Sequence, residues 1–304
     1  MTERADEGVI RVDGHEIEIG HPDKLLFRSP DITKLELAEY YRKISGVALR
    51  HYRDRALSMH RYPDGIDDKG FFQKNIGDHF PEWIERKSLP KKDGEVTHVV
   101  ANDAATLVYL ADQACITPHL SLSRIDRPDY PDRMIFDLDP SDEDFDKVRE
   151  TARHLEKFLG EMKLSSFVQT TGSRGLHVLV PLDRSLEFEQ VREFSHRVCR
   201  ELVDQHPDLM TVEQRKNKRG KRVFLDDLRN AYGQTSVAPY AVRARPGAPV
   251  AAPLDWDEVN QDDLDPQKYN IRNIFRRLGQ MNDPWADIAR HAQGLEEARR
   301  RLFD

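Results

Sequence analysis

Between Arg133 and Pro140 the chain reads RMIFDLDP, and this segment restricts the fold more than any other. Successive side chains of a strand point to opposite faces, so Ile135, Asp137 and Asp139 share one face while Met134, Phe136 and Leu138 share the other. Such a strand buries its apolar face against helices and leaves two carboxylates side by side, about 7 Å apart along the strand. Carboxylates so placed repel and raise each other's pKa unless a cation lies between them, an arrangement suited to hard, oxygen-seeking ions such as Mg²⁺ or Mn²⁺. A third aspartate, Asp226, ends the apolar run Val223-Phe224-Leu225. The plainer reading, in which Asp139-Pro140-Ser141 only caps the next helix, accounts for a lone D-x-D motif but not for the third carboxylate.

Around this strand the pattern predicts an α+β sheet covered by helices. A helix over 142–162 follows, then a strand at SFVQTT, a tight turn at GSRG, a strand at LHVLVPL, a helix over 187–205, and further strands at VFLDDL and TSVAPYAV. Upstream, Thr33 with Glu36 forms a capping box, and Leu37, Tyr40, Tyr41 and Ile44 recur at helical spacing, predicting a helix over 33–51. Extended segments over 56–62, 70–74 and 96–100 and a helix over 103–114 complete a smaller mixed module. Ile271, Ile274, Phe275, Leu278, Trp285, Ile288 and Ala289 read as C-terminal helices packed on the body. The division expected is an N-terminal module over 1–130 and a catalytic module over 131–304, packed as one compact unit.

The turn Thr170-Thr171-Gly172-Ser173-Arg174-Gly175-Leu176-His177 sets a hydroxyl, a guanidinium and an imidazole beside backbone N–H groups, a natural anion nest able to grip a triphosphate. Arg243 and Arg245 alternate on a strand-like segment and are placed to face the same pocket as Lys216 and Arg219; taken singly, each reads as a solvated surface charge. The net charge of −7 excludes a chain coated in positive charge. Basic residues nevertheless gather over 42–61, over 215–222 and at Arg243 with Arg245, which permits a groove for a polyanion. No stretch reaches the roughly 18 apolar residues of a membrane span. The N-terminus MTERADEGVIRVDGHEIEI carries acid where a signal peptide carries base, so the expected location is the cytoplasm, at the bacterial or archaeal nucleoid. Cys115 and Cys199 lack metal-binding spacing and read as reduced core thiols in apolar helical surroundings.

The ordered set GFFQKN at Gly70, DLDP at Asp137, TGSRGLHV at Thr171, VFLDDLRN at Val223 and TSVAPYAVRARPGAPV at Thr235 resembles the polymerase domain of bacterial ligase D, within the archaeo-eukaryotic primase superfamily. The resemblance covers the chain from about His21 to Trp256. It implies an RRM-like primase-polymerase catalytic module packed with an N-terminal α/β module. It further implies template-directed DNA or RNA nucleotidyl transfer in DNA repair, by non-homologous end joining or excision repair, with NTP or dNTP substrates and two Mn²⁺ or Mg²⁺ ions. By resemblance Asp137, Asp139 and Asp226 are the metal-binding catalytic carboxylates; the family places an aromatic after the third, where this chain has Asp227. Ser173, Arg174, Gly175 and His177 resemble the triphosphate-binding turn, and His119, Arg243 and Arg245 match positions lining the nucleotide pocket. Lys216 and Arg219 lie in the run RKNKRGKR, which matches a mobile basic loop. Lys24 and Lys34 match lysines that hold the 5′-phosphate at a gap, Phe71 and Phe72 match aromatics that stack on the template, and Arg61 is a further DNA contact. Alternation implies that one of the two phenylalanines packs inward. His60 stands where relatives carry Lys. The partners implied are DNA with a gap, nick or double-strand end bearing a 5′-phosphate, a Ku-like protein and a DNA ligase. Two other readings compete: a catalytically silent DNA-end-binding module, and a haloacid-dehalogenase-like phosphatase with Asp137 as nucleophile.

Overall fold

The computed structural model describes residues 8–303. Residues 1–7, which open the acidic N-terminal stretch, lie outside the described residues. Two compact units are present, one of Met1–Ser121, Val237–Val250 and Asn270–Met281, the other of Leu122–Ser236, Ala251–Tyr269 and Asn282–Asp304. The boundary therefore falls at 121/122 rather than 130/131, and the chain re-enters the first unit twice. Long-range pairing draws the first return: Ala238 N donates to Pro118 O at 3.1 Å, and Thr117 Oγ1 donates to Val242 O at 2.6 Å.

The first unit begins with the strands β1 (Val9–Val12), β2 (His15–Glu18), β3 (Leu25–Arg28) and β4 (Asp31–Thr33). Helix α1 (Lys34–Tyr52) follows, with Thr33 Oγ1 accepting from Glu36 N and Glu36 Oε2 accepting from Thr33 N, as the capping box requires. Its buried stripe includes Leu37, Tyr40, Tyr41 and Ile44. Strands β5 (Ala56–Arg61), β6 (Phe71–Gln73), β7 (Arg86–Lys91) and β8 (Gly94–Val100), helix α2 (Ala104–Asp112) and strand β9 (Cys115–Ser121) complete the run. The sheet runs β9-β5-β8-β7, with β6 on β5 beyond the point where β8 departs. Cys115 thus lies on a strand, not in a helix, and both cysteines are buried.

The second unit contains β10 (Arg133–Asp139), α3 (Phe145–Glu161), β11 (Phe167–Thr170), β12 (Leu176–Pro181), α4 (Phe188–Gln205), β13 (Met210–Thr211) and β14 (Val223–Asp226). After β15 (Thr235–Val237), the chain returns to this unit for β16 (Pro253–Leu254) and α5 (Trp256–Val259). The short α6 (Ile274–Leu278) belongs to the first unit, and α7 (Glu296–Phe303) closes the described chain. The strand expected over TSVAPYAV stops at Val237, because Pro239 follows and Tyr240 takes a left-handed φ of 63°.

The sheet order is β13-β14-β10-β12-β11-β16, antiparallel at every pair except β13 with β14. Met134, Phe136 and Leu138 enter a core with Val148, Leu155, Val191, Phe194 and Val198 from α3 and α4. On the opposite face Ile135 and Leu179 pack under Trp285 and Ile288, with Phe167 alongside. Two residues further along each strand, that second face turns polar.

Candidate active site

Cross-strand register builds the site. Asp137 stands directly opposite His177 on one side and Asp226 on the other, and His177 stands opposite Gln169. Residues paired directly across antiparallel strands share a face, so Gln169, His177, Asp137 and Asp226 form one polar row across four strands. Gln169 Nε2 lies 3.3 Å from His177 Nδ1, and His177 Nε2 lies 3.2 Å from Asp137 Oδ1. With the Gln169 amide donating to Nδ1, the imidazole proton sits on Nε2 and faces the carboxylate. The row is screened from water: Gln169, His177 and Asp137 are all buried.

Asp139, two residues beyond Asp137 and opposite Phe224, adds the third carboxylate to this face. Burial first, and then the Asp137 charge, push the Asp139 pKa up, against Arg174, His177 and Arg229. Asp226 is raised by the same two causes in the same order. Asp226 Oδ1 accepts from Leu228 N at 3.0 Å. Asp227, by contrast, turns its carboxylate to His196 Nδ1 at 3.1 Å. Arg229 closes the row, its Nε 3.5 Å from Asp137 Oδ2 and 3.6 Å from Asp226 Oδ2.

Asn230 fastens this turn to the sheet. Its Oδ1 accepts from Ile135 N at 2.8 Å and its Nδ2 donates to Ile135 O at 2.7 Å, extending the β14 ladder with a side chain after the strand has ended. Arg229, Asn230 and Gln169 escaped the sequence analysis. The only local signal was the spacing of Arg229 three residues after Asp226 in LDDLRN; the cross-strand register that joins these residues to β10 and β12 has no local signature.

The turn between β11 and β12 differs from the nest expected of it. Thr171 Oγ1 accepts from Ser173 N at 3.3 Å and Gly175 N at 3.2 Å, so two amides of the turn are already spent. Ser173 O accepts from Gln267 Nε2 at 2.8 Å, while the Arg174 side chain is exposed. Gly175 is required by space: a Cβ there would overlap Leu138 O of β10, between the two aspartates. In the basic run, Lys216 is exposed and Arg219 is buried. The Arg219 guanidinium stacks 3.6 Å over the Phe224 ring and donates to Glu213 O and Gln214 O.

The first unit holds the remaining expected residues. Phe71 and Phe72 are 45% and 57% exposed, so neither packs inward as alternation implied, because β6 is a three-residue strand paired only with β5. Phe72 stacks on His60 at 4.1 Å between ring centroids and meets His119 edge-on at 5.2 Å. Burial first, and then the Arg243 charge, lower the His60 pKa to about 4, so this position presents a neutral ring. Arg61 Cζ lies 5.5 Å from the Phe71 ring centroid, while its nitrogens donate to Gln113 O and Gln73 Oε1. Arg243 follows an isolated bridge at Val242 and Arg245 lies in a bend, so neither is on a regular strand. Lys24 Nζ is 3.0 Å from Asp64, and Lys34 Nζ is 2.8 Å from Asp112 while donating to Gly20 O at 2.7 Å.

The site is thus a carboxylate row on one face of a largely antiparallel sheet, backed by two helices. Residues 33–285 match the family described as LigD, primase-polymerase domain, and the chain belongs to that family. It is 31% identical over 277 residues to the multifunctional non-homologous end joining protein LigD of Mycolicibacterium smegmatis, covering 90% of this chain and 36% of that protein. To the Pseudomonas aeruginosa protein of the same description it is 32% identical over 302 residues, covering 98% and 36%. The bifunctional Bacillus subtilis LigD is 30% identical over 273 residues, covering 89% and 44%. The chain therefore spans less than half the length of these relatives. The solved polymerase domain of Mycobacterium tuberculosis ligase D in complex with DNA superposes with a TM-score of 0.85 at 28% identity, covering 91% of this chain and 99% of that one. The family match removes the haloacid-dehalogenase-like reading. No helix among the described residues is long and apolar enough to cross a membrane.

Enzymes of this family use divalent metals. Among the described residues no group of three or more His, Cys, Asp or Glu side chains is arranged to hold a metal ion as it stands. The chemistry of the donor set does fit one: three hard carboxylates share a face, and burial first, then the neighbouring Asp137 charge, raise the pKa values of Asp139 and Asp226, a repulsion that a cation relieves.

Proposed function

We propose that the chain is a template-directed nucleotidyltransferase that fills gaps or extends DNA ends in repair, taking NTP or dNTP and working on DNA with a 5′-phosphate. The observation that carries the reading is the direct cross-strand pairing of Asp137 with Asp226, beside Asp139, in a member of the LigD primase-polymerase family. Asp137, Asp139 and Asp226 are the residues that would hold two Mn²⁺ or Mg²⁺ ions. Ions held there would supply Lewis acidity toward the primer 3′-hydroxyl and positive charge toward the pyrophosphate leaving group. The protein supplies the rest: His177 orients Asp137, Arg174 and Ser173 meet the triphosphate, and Gly175 lets the turn approach β10.

In the first unit, His119, Arg243 and Arg245 contribute to nucleotide binding. The exposed Phe71 and Phe72 rings offer stacking surfaces for template bases, each worth roughly 1–3 kcal/mol. Lys24 and Lys34 serve the 5′-phosphate, and the basic residues Lys216 and Arg61 contact the backbone of DNA. A Ku-like protein and a DNA ligase are the expected partners in the cell. The test is nucleotide choice on gapped duplexes that differ only in the templating base. Incorporation that follows the template at all four bases supports the reading; addition independent of the template contradicts it.

A further inference from the structure

Arg229 occupies a position that none of the roles above uses. Asp137 and Asp226 face each other across β10 and β14, and the Arg229 Nε approaches one oxygen of each, at 3.5 Å and 3.6 Å. The two aspartate side chains are 11% and 14% exposed, whereas that of Arg229 is 41% exposed. Its backbone is held by the neighbouring Asn230, which bonds both the N–H and the C=O of Ile135. A fixed anchor with a long, half-exposed side chain lets the guanidinium leave without disturbing the strand that carries Asp226.

The geometry points to Arg229 as an internal counter-ion that competes with divalent metal for Asp137 and Asp226. This inference rests on the metal-binding reading of those carboxylates. A guanidinium within 3.6 Å of an oxygen of each carboxylate offsets the repulsion between them. A divalent ion held by Asp137 and Asp226 would carry charge of the same sign as the guanidinium that now lies against both carboxylates, so the two could not both hold full contact. Metal loading is then an exchange of one cation for another, and Arg229 weakens the metal affinity of the free protein by the free energy of the pairs it gives up. It acts as a positioning residue through the carboxylates.

Two binding readouts, neither depending on turnover, test this on the full chain. The first is Mn²⁺ titration followed by electron paramagnetic resonance of the free ion, for the wild type, Arg229→Gln, Arg229→Lys and Asp137→Asn. The second is thermal melting in chelator and in Mn²⁺. Arg229→Gln is expected to bind Mn²⁺ about threefold or more tighter than the wild type, given the modest strength of half-exposed pairs. It is also expected to melt lower in chelator and to gain more from Mn²⁺, while Arg229→Lys stays near the wild type. Unchanged or weaker Mn²⁺ binding by Arg229→Gln overturns the inference, as does a lower melting temperature without a larger gain from Mn²⁺. If Asp137→Asn binds Mn²⁺ as the wild type does, the metal assignment itself falls and the inference with it. A silent Arg229→Gln beside a defective Asp137→Asn removes the inference alone.

Discussion

Asp139 is partly buried beside Asp137, and burial and that neighbouring charge both raise its pKa. A carboxyl whose folded pKa lies above its unfolded one contributes stability that is full below the unfolded pKa and is lost as pH rises through the folded value. The metal-free protein therefore carries charge at neutral pH that costs stability, the usual tension between an active site and the fold that holds it. Asp139→Asn cannot ionise. In chelator at neutral pH it is expected to melt higher than the wild type, by about 1–3 °C for roughly 0.5–1 kcal/mol, and to lose less stability between pH 4 and 7. Calorimetric scans across that range check it; a lower melting temperature at pH 7 would show that Asp139 is stabilised by its surroundings. The lysines differ on the same scale. Lys34 is largely buried against Asp112 and Gly20 O, while Lys24 is half-buried and its partner Asp64 exposed. Lys34→Ala is expected to cost about 1–3 kcal/mol in urea denaturation, and Lys24→Ala less than about 1 kcal/mol. Equal costs would contradict the burial of the Lys34 pair as its cause.

At the scale of elements, β14 ends at Asp226, and the Asn230 side chain continues its pairing to Ile135. Asn230→Ala leaves a buried strand amide and carbonyl without these partners and is expected to cost about 1–3 kcal/mol. Because Asp226 and Arg229 ride on the same turn, nucleotide incorporation should fall further than the lost stability accounts for. Wild-type incorporation in a destabilised Asn230→Ala would show that the turn does not position Asp226. Edge strand β6 gives the opposite case. Both phenylalanines are exposed, so Phe71→Ala and Phe72→Ala are each expected to change stability by less than about 1 kcal/mol while weakening single-strand template binding. Unfolding of either variant would contradict the exposed placement. These elements also show what the chain made legible. The period-two alternation at Asp137 and Asp139, the Thr33–Glu36 cap and the glycine turn before His177 depend on neighbours within a few residues, and all were readable. The Gln169–His177–Asp137–Asp226 row, Arg229 between two strands and Asn230 on Ile135 depend on cross-strand register, which distant packing decides. Phe71 and Phe72 failed for a related reason, since alternation predicts two faces but not whether anything covers either.

For the whole molecule, the return of Val237–Val250 and Asn270–Met281 to the first unit puts Arg243 and Arg245 in the same unit as His60 and His119. Linear order put these two arginines in the module expected over 131–304, and they fall in the first unit because the chain returns to it. The claim that matters most at this scale is that the carboxylate row carries out nucleotidyl transfer. It is tested most directly by primer extension on a short gapped duplex with a 5′-phosphate, in Mn²⁺, comparing the wild type with Asp137→Ala, Asp226→Ala and Asp227→Ala. Templated extension is expected of the wild type, with loss of at least about 100-fold in Asp137→Ala and Asp226→Ala and measurable extension by Asp227→Ala, whose carboxylate faces His196. Extension that survives in Asp137→Ala or Asp226→Ala, or a wild type that binds the duplex and adds nothing, would contradict that claim.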